Sequence, residues 1–414
     1  MRILVQKFGG TSVADLACMS RVREKVKKGL DGGCKVVAVL SARAGETNRL
    51  LALADEWSPN PDPAECDSLL STGEQVSVSL FAMLLRDMGI RARSVLGFQA
   101  PVLTTEDHGK ARIRSIDPSR LLALLREYDV LVMAGFQGIT PSGRISTLGR
   151  GGSDTSAVAV AAVLKAELCE IYTDVDGVYT TDPNIVSSAR KLDRITYDEM
   201  LEMASMGAKV LEIRSVEFAK KYAVPVHVLS TFADAPGTML IQEEKKMEHA
   251  LLSGVALDKD QARITLRSCP DRPGVSAGIF APLAQAGIIV DMIVQNPSLN
   301  GVTDVTFTVS RKDVKKALAA MEELRAQMPG MEVLHDANVC KVSLIGVGMR
   351  NHSGIASRAF SAISRENINI LIISTSEIKI SCLLEEKYGE LAVRTLHDAF
   401  ELGKSSSNGA GARA

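Results

Sequence analysis

Along roughly the first 240 residues, short apolar runs alternate with longer stretches in which apolar side chains recur every three or four positions. The runs 3–8, 36–41, 130–135, 170–173 and 226–230 are rich in β-branched and other apolar residues. Their shortness and lack of polar alternation predict strands covered on both faces. The helical period occupies 13–30, 74–87, 119–127, 154–164 and 197–222. Strand–helix alternation of this kind predicts an α/β protein, an αβα sandwich with a mostly parallel sheet. The pattern changes near Pro236-Gly237, and the charged run 242–248 reads as a linker or a helix end.

Beyond that point the chain repeats itself. The segment from Asp271 aligns with the segment from Arg350, so that Gly274 meets Gly354, 80 residues on. Phe280 then meets Phe360, Leu283 meets Ile363 and Ile288 meets Ile368. Each copy reads as strand, glycine loop, helix, then further strands and a helix, and the alternating 305–309 and 378–382 supply half-exposed strands. Two βαββαβ units are expected. The expected division is a first domain over 1–245, repeat units over 250–330 and 338–403, and a disordered tail over 404–414 with no large apolar residue.

Composition narrows the possibilities. Lys and Arg total 48 against 49 for Asp and Glu, so bulk charge gives no support for a nucleic-acid or polyanion binder. No apolar run reaches the roughly 18 residues needed to span a bilayer, so no membrane partner is expected. The start turns polar too early for a secretory signal. Seven scattered cysteines without a C-x-x-C pair suit a reducing cytoplasm. The histidines lack metal-binding spacing, and no residue is assigned as a metal ligand.

Three segments could carry chemistry. Lys7-Phe-Gly-Gly-Thr-Ser12 stands where a strand meets a helix. Adjacent glycines let the backbone approach a ligand, free N–H groups and the following helix favour an anion, and Thr11 and Ser12 offer hydroxyls. A plain tight turn with a helix cap is the alternative. In Leu148-Gly-Arg-Gly-Gly-Ser-Asp154, the Arg150 guanidinium suits bidentate capture of a carboxylate or phosphate. Asp154 either caps the next helix or aims its carboxylate at Lys7. The acidic loop from Thr173 to Asn184 follows a strand, where α/β sheets place ligands, or is an Asx-rich turn series. Glu74 alone reads as a helix cap, Lys209 as a solvated helix residue, and Met200, Met203 and Met206 as core.

Together, Lys7-Phe-Gly-Gly-Thr-Ser12, Ser71-Thr-Gly-Glu74, Gly135-Phe-Gln-Gly138, Gly149-Arg-Gly-Gly-Ser-Asp154, Thr173-Asp-Val-Asp-Gly-Val-Tyr179 and Met206-Gly-Ala-Lys-Val-Leu211 resemble the aspartokinase family. The resemblance covers nearly the whole chain. It implies the amino-acid kinase fold followed by two ferredoxin-like ACT domains, and ATP-dependent phosphorylation of the L-aspartate side-chain carboxylate to 4-phospho-L-aspartate. That is the first step towards lysine, threonine and methionine.

By the same resemblance Lys7, Phe8, Gly9 and Gly10 hold ATP phosphates, and Thr173, Asp174, Tyr179, Asp182, Lys209 and Val210 contact the nucleotide. Lys7 and Asp154 are the implied catalytic pair. Arg150 pairs with the α-carboxylate of aspartate and Glu74 with its ammonium, while Ser41, Thr47 and Ser153 line the pocket. Mg2+ accompanies ATP. Lysine, threonine or both are the implied effectors, at Asp271, Gly274, Ser276, Asp291 and Gln295 in one copy and Asn369, Ile370 and Ser376 in the other. A homo-oligomer, or a complex with a shorter ACT-only subunit started at Met247, is implied. Two positions depart from the family pattern: Asn184 replaces a basic residue, and Glu212-Ile213 stands where His-Pro is common.

Overall fold

Strands whose side chains are apolar on both faces form the centre of the first unit. The computed structural model describes residues 1–207, 210–243, 252–297, 301–326, 328 and 330–404, with the side chains of Arg350 and Asn351 not described. Its strands are β1 (Ile3–Phe8), β2 (Lys35–Leu40), β3 (Ala92–Val95), β4 (Val102–Thr104), β5 (Ile113–Ile116), β6 (Val130–Ala134), β7 (Gln137–Ile139), β8 (Ile145–Thr147), β9 (Leu168–Thr173), β10 (Arg194–Thr196), β11 (Val226–Ser230) and β12 (Thr238–Ile241). Its helices are α1 (Leu16–Asp31), α2 (Glu46–Trp57), α3 (Pro63–Arg86), α4 (Pro118–Glu127), α5 (Gly152–Leu164), α6 (Tyr197–Ser205) and α7 (Ile213–Tyr222).

Among the described residues an eight-stranded sheet runs β10-β12-β11-β9-β1-β2-β6-β3. It is parallel except where β12 turns back on β11. Val36, Ala38 and Leu40 of β2 face α1 and α3, which supply Met19, Val22, Val26, Val78, Phe81 and Leu85. On the opposite side α5 packs against β1 and β2, completing the expected αβα sandwich. The strands β5-β4-β7-β8 make a small second sheet. The chain arrives on either side of β1 by separate crossovers, so the carboxyl ends of β1 and β9 border the crevice where open α/β sheets bind ligands.

Several elements differ from the sequence pattern. The helix expected from residue 13 begins at Leu16, where Asp15 accepts the N–H of Cys18. The turn directly after the glycines is a four-residue 3-10 segment, Gly10–Val13, so no long helix points its positive end there. The helix expected over 197–222 is broken: Gly207 takes φ +95°, and Glu212 caps a new start by accepting the N–H of Ser215. Helix α3 starts eleven residues before its expected beginning, at Pro63 after the Asp62 cap, because a polar first half hides its period. It is long and apolar enough to cross a membrane by length and composition, which the search for apolar runs overlooked. Half of that window is buried, and the buried side includes the carboxylates Asp67 and Glu74.

The second unit comprises 179–190, 206–207 and the described residues from 252 onward. It contains β13 (Gly254–Pro270), α8 (Val275–Gln285), β14 (Val290–Gln295), β15 (Val302–Val309), α9 (Val314–Arg325), β16 (Glu332–Ile345), α10 (Ile355–Arg365), β17 (Ile372–Thr375), β18 (Lys379–Glu385) and α11 (Gly389–Ala399). Helices α8 and α10 begin and end 80 residues apart, each after a left-handed glycine, Gly274 or Gly354. Strands β14-β15-β13-β16-β18-β17 form one six-stranded sheet. The long β13 and β16 pass through both repeats. Arg263–Arg267 pairs with Glu332–Asp336, whereas Gly254–Asp258 pairs with Lys341–Ile345. The fourth strand of the second repeat is therefore supplied from ahead of the first. The 242–248 linker, Met247 and the 405–414 tail lie wholly or mainly outside the described residues.

Candidate active site

Lys7 is the penultimate residue of β1, held between Val39 of β2 and Ile171 of β9. Its Nζ lies 2.6 Å from Oδ1 of Asp154, with only 12% and 10% of the two side chains exposed. The approach is too oblique for a directed hydrogen bond to that oxygen, which has no other partner. Asp154 occupies the first turn of α5, but the N-cap is Gly151 and no side chain caps it. The ion-pair reading of Asp154 therefore prevails over the capping one.

The glycines do what close approach requires. A Cβ on Gly10 would stand 2.8 Å from the Ala42 carbonyl, and one on Gly9 would stand 3.5 Å from the Lys7 ammonium. Two expected donors are spent inside the protein. The N–H of Gly9 points to Tyr172 O at 3.4 Å, and Ser12 Oγ shares a 2.7 Å hydrogen bond with Thr231. Thr11 is exposed, and the Phe8 ring stacks on Tyr172 at 4.8 Å.

Ser41 follows β2, and its N–H donates to Phe8 O. The next N–H, of Ala42, donates to Glu74 Oε1 at 2.8 Å. Glu74 sits mid-way along α3, so the capping reading is excluded. It is 3% exposed and its Oε2 has no partner. Burial pushes its carboxyl up to about 7. Thr47 lies in the first turn of α2, and Ser153 packs so tightly under Gly135 that a Cβ there would touch its Oγ at 2.8 Å. Arg150 is exposed and makes no ion pair among the described residues. A lysine, two carboxylates, two serines and an arginine thus border the ends of β1, β2, β6 and the start of α5.

The remaining expected residues lie on other segments. Thr173 ends β9 at the crevice side and Asp174 follows it, with the Thr173 hydroxyl donating to Asp174. Tyr179 and Asp182 group with the second unit. Asp182 accepts from both the backbone and the amide side chain of Asn184, so this departure closes an Asx turn. Val210 is partly buried, and Lys209 lies outside the described residues. Glu212, the other departure, caps α7 and accepts from Thr155, and burial raises its carboxyl. In the repeats, Ser276 donates to Gln295, and Asp271 and Gly274 lie in the loop and cap leading into α8. Asp291, at the far end of β14 about 13 Å from Gln295 by strand rise, is paired with Lys341. Asn369 is exposed, Ile370 packs on the second repeat's core, and Ser376 closes the β17–β18 turn.

Sequence reasoning missed Asp67, His108 and Arg214. Asp67 precedes Glu74 by seven residues, two helical turns, and that shared face is the signal that could have exposed it. A cleft of about 1010 Å³, lined by Gln6, Lys25, Glu170, Tyr172, His227 and Asp234, contains none of the expected site residues.

Residues 2–230 match the amino acid kinase family, and 264–326 and 342–400 each match an ACT domain. A kinase unit with a regulatory ACT pair is the class that fold and site define. The chain is 53% identical to the aspartate kinase Ask_LysC of Stutzerimonas stutzeri over 409 residues, 99% of each chain. It is also similar to E. coli aspartokinase III, at 30% identity over 96% of this chain and 99% of that one. The TM-score is 0.81 against the R-state complex with aspartate and ADP. It is 0.75 against the T-state complex with lysine and aspartate. The chain belongs to the aspartate kinase family, enzymes that phosphorylate aspartate under allosteric control.

Proposed function

We propose that this chain transfers the γ-phosphoryl group of ATP to the side-chain carboxylate of L-aspartate, giving 4-phospho-L-aspartate for lysine, threonine and methionine synthesis. The observation that carries the reading is the buried Lys7–Asp154 pair beside Gly9 and Gly10. An attacking carboxylate is already ionised at neutral pH, so no strong base is needed. Its oxygen bonds to the γ-phosphorus while the bond to the β–γ bridging oxygen breaks, and ADP leaves with that electron pair. The barrier is bringing an anion to a polyanion, so positioning and neutralisation dominate.

In this reading Lys7 neutralises phosphate charge, and Asp154 holds its ammonium in place. Arg150 takes the α-carboxylate, Glu74 the ammonium, and Ser41, Thr47 and Ser153 line the pocket. Thr173, Asp174, Tyr179, Asp182, Lys209 and Val210 contact the nucleotide. Mg2+ would ride on the phosphates. No group of three metal-ligating side chains occurs among the described residues, and Asp154, ion-paired with Lys7, is the carboxylate that would help place such an ion.

Catalysis resides in 1–245 and regulation in 250–330 and 338–403, leaving 404–414 as a tail. Lysine, threonine or both act as effectors, and the lysine held by the related E. coli enzyme supports this. Edge strands β14 and β17 leave one ladder side unpaired within the sheet, which supports assembly with a second copy or an ACT-only subunit. Seven unpaired cysteines suit a reducing cytoplasm.

Lys7→Ala tests the mechanism. Losing one preorganised cation should lower kcat by about 10²–10³ while changing either KM far less. Near wild-type turnover would remove Lys7 from the reaction.

A further inference from the structure

The Arg150 loop stands on a brace buried beneath it. Asp67 of α3 is wholly buried, yet its carboxylate satisfies four contacts from two segments. Thr147 Oγ1 at the end of β8 donates to it at 2.5 Å. The Gly109 N–H lies 3.0 Å from each oxygen, and His108 Nδ1 lies 2.8 Å from Oδ2. A carboxylate only accepts, so His108 carries its proton on Nδ1. The Ala111 N–H then donates to Thr147 O, locking the 108–111 loop to β8.

Two residues beyond Thr147, Gly149 takes φ +80°, and a Cβ there would stand 3.0 Å from Gly109 O. The backbone of the Arg150 loop therefore lies against the carbonyl of the same glycine whose N–H Asp67 holds. From the other side, Arg214 donates to Leu148 O at 2.6 Å and Ala111 O at 3.0 Å, tying the same two segments together. Arg150 has no ion pair of its own among the described residues, so its place is set by this backbone.

We infer that Asp67 is a positioning residue for substrate capture: through Gly109 and Thr147 it holds the Gly149–Gly151 turn where Arg150 can grip the α-carboxylate of aspartate. The inference rests on the Arg150 reading above. Asp67 touches no reacting atom. It acts as one anionic post to which three donors from the 108–109 and 147 segments converge, and without it the buried Thr147 hydroxyl would lose its acceptor and the His108 and Gly109 donors their anchor.

The test is steady-state kinetics at pH 8 on the full chain, with both Michaelis constants determined. Asp67→Ala should raise the KM for aspartate about tenfold or more, since small misplacements of a binding group cost that much, and leave the KM for ATP within about twofold. Thr147→Val, which removes one donor at nearly equal volume, should raise the aspartate KM by about threefold, and carries the test if Asp67→Ala does not fold. Asp67→Asn should recover most of the loss, because its oxygen can face Gly109 and Thr147 while its amide faces a neutral imidazole that has switched tautomer. In an Arg150→Ala background, Asp67→Ala should add nothing further to the aspartate KM.

Equal rises in both Michaelis constants, full additivity with Arg150→Ala, or an unchanged aspartate KM in both Asp67→Ala and Thr147→Val would overturn the inference. An Arg150→Ala enzyme with a normal aspartate KM would instead overturn the carboxylate role of Arg150, and this inference with it.

Discussion

Glu74 is a carboxylate that the fold keeps partly protonated. It is buried, its one directed partner is the Ala42 N–H, and its second oxygen is unpartnered. Its folded value is pushed up to about 7 from an ordinary 4.5 by burial. A raised carboxyl favours the protonated folded state, so its contribution to stability is full below about 4.5 and is lost as pH rises through about 7. Binding runs the other way, because an ammonium needs the ionised form. Falling pH through about 7 should therefore raise the aspartate KM, approaching tenfold per unit, while Glu74→Gln should bind weakly but with a flatter profile. Michaelis constants between about pH 6 and 9 check this, and a flat wild-type profile would separate Glu74 from the ammonium. Phe136 is a second strained point: it holds φ +67° between β6 and β7, with its N–H donated to Ser156.

At the scale of elements, the paired helices α8 and α10 are the clearest case of sequence becoming structure. Their apolar positions coincide at an 80-residue spacing: Ile279 and Ala359, Leu283 and Ile363, and, three residues past the helix ends, Ile288 and Ile368 are all buried. Both start from a glycine with φ above +90°, and a Cβ on either would meet nothing within 4 Å. Strain alone is then at issue. Gly274→Ala and Gly354→Ala should each destabilise the second unit by about 1–2 kcal/mol, and by similar amounts. Denaturant unfolding followed by circular dichroism measures both. A much larger cost at one of them would show that the repeats are not equivalent there. The helix expected over 197–222 failed as an element for a related reason: a continuous apolar period does not reveal that Gly207 turns left-handed and Glu212 restarts the chain.

At the scale of the second unit as a whole, one buried lysine ties the repeats together. Lys341 of β16 is 2% exposed, and it pairs with Asp291 of β14 and lies 3.9 Å from Asp258 of β13. Gln261 donates to both aspartates. The two ways of breaking this group differ. Asp291→Ala leaves the lysine buried with only Asp258, 3.9 Å away, as counter-charge and should cost about 3–5 kcal/mol. Lys341→Met leaves Asp291, a third exposed, to water and should cost about 1–3 kcal/mol. Unfolding midpoints of the two variants decide the order, and a costlier lysine variant would contradict it. Any effector defect in an Asp291 variant has to be separated from this loss of stability.

Local chemistry was enough to find the central strands of the first unit and the repeat, and to single out Lys7, Arg150 and Asp154 as candidates, whereas Glu74 read alone as a helix cap and entered only through the family resemblance. Apolar period, glycine pairs and charged residues near strand ends are properties of short segments, and they survive reading in one dimension. Pairings were not legible. That Asp154 answers Lys7 rather than capping α5, that Ser12 spends its hydroxyl on Thr231, and that β13 and β16 each serve two repeats depend on which distant segments meet. Asp67 was invisible for the same reason. A carboxylate in a helix looks like solvent-facing charge until folding removes its water and brings Gly109, His108 and Thr147 to replace it.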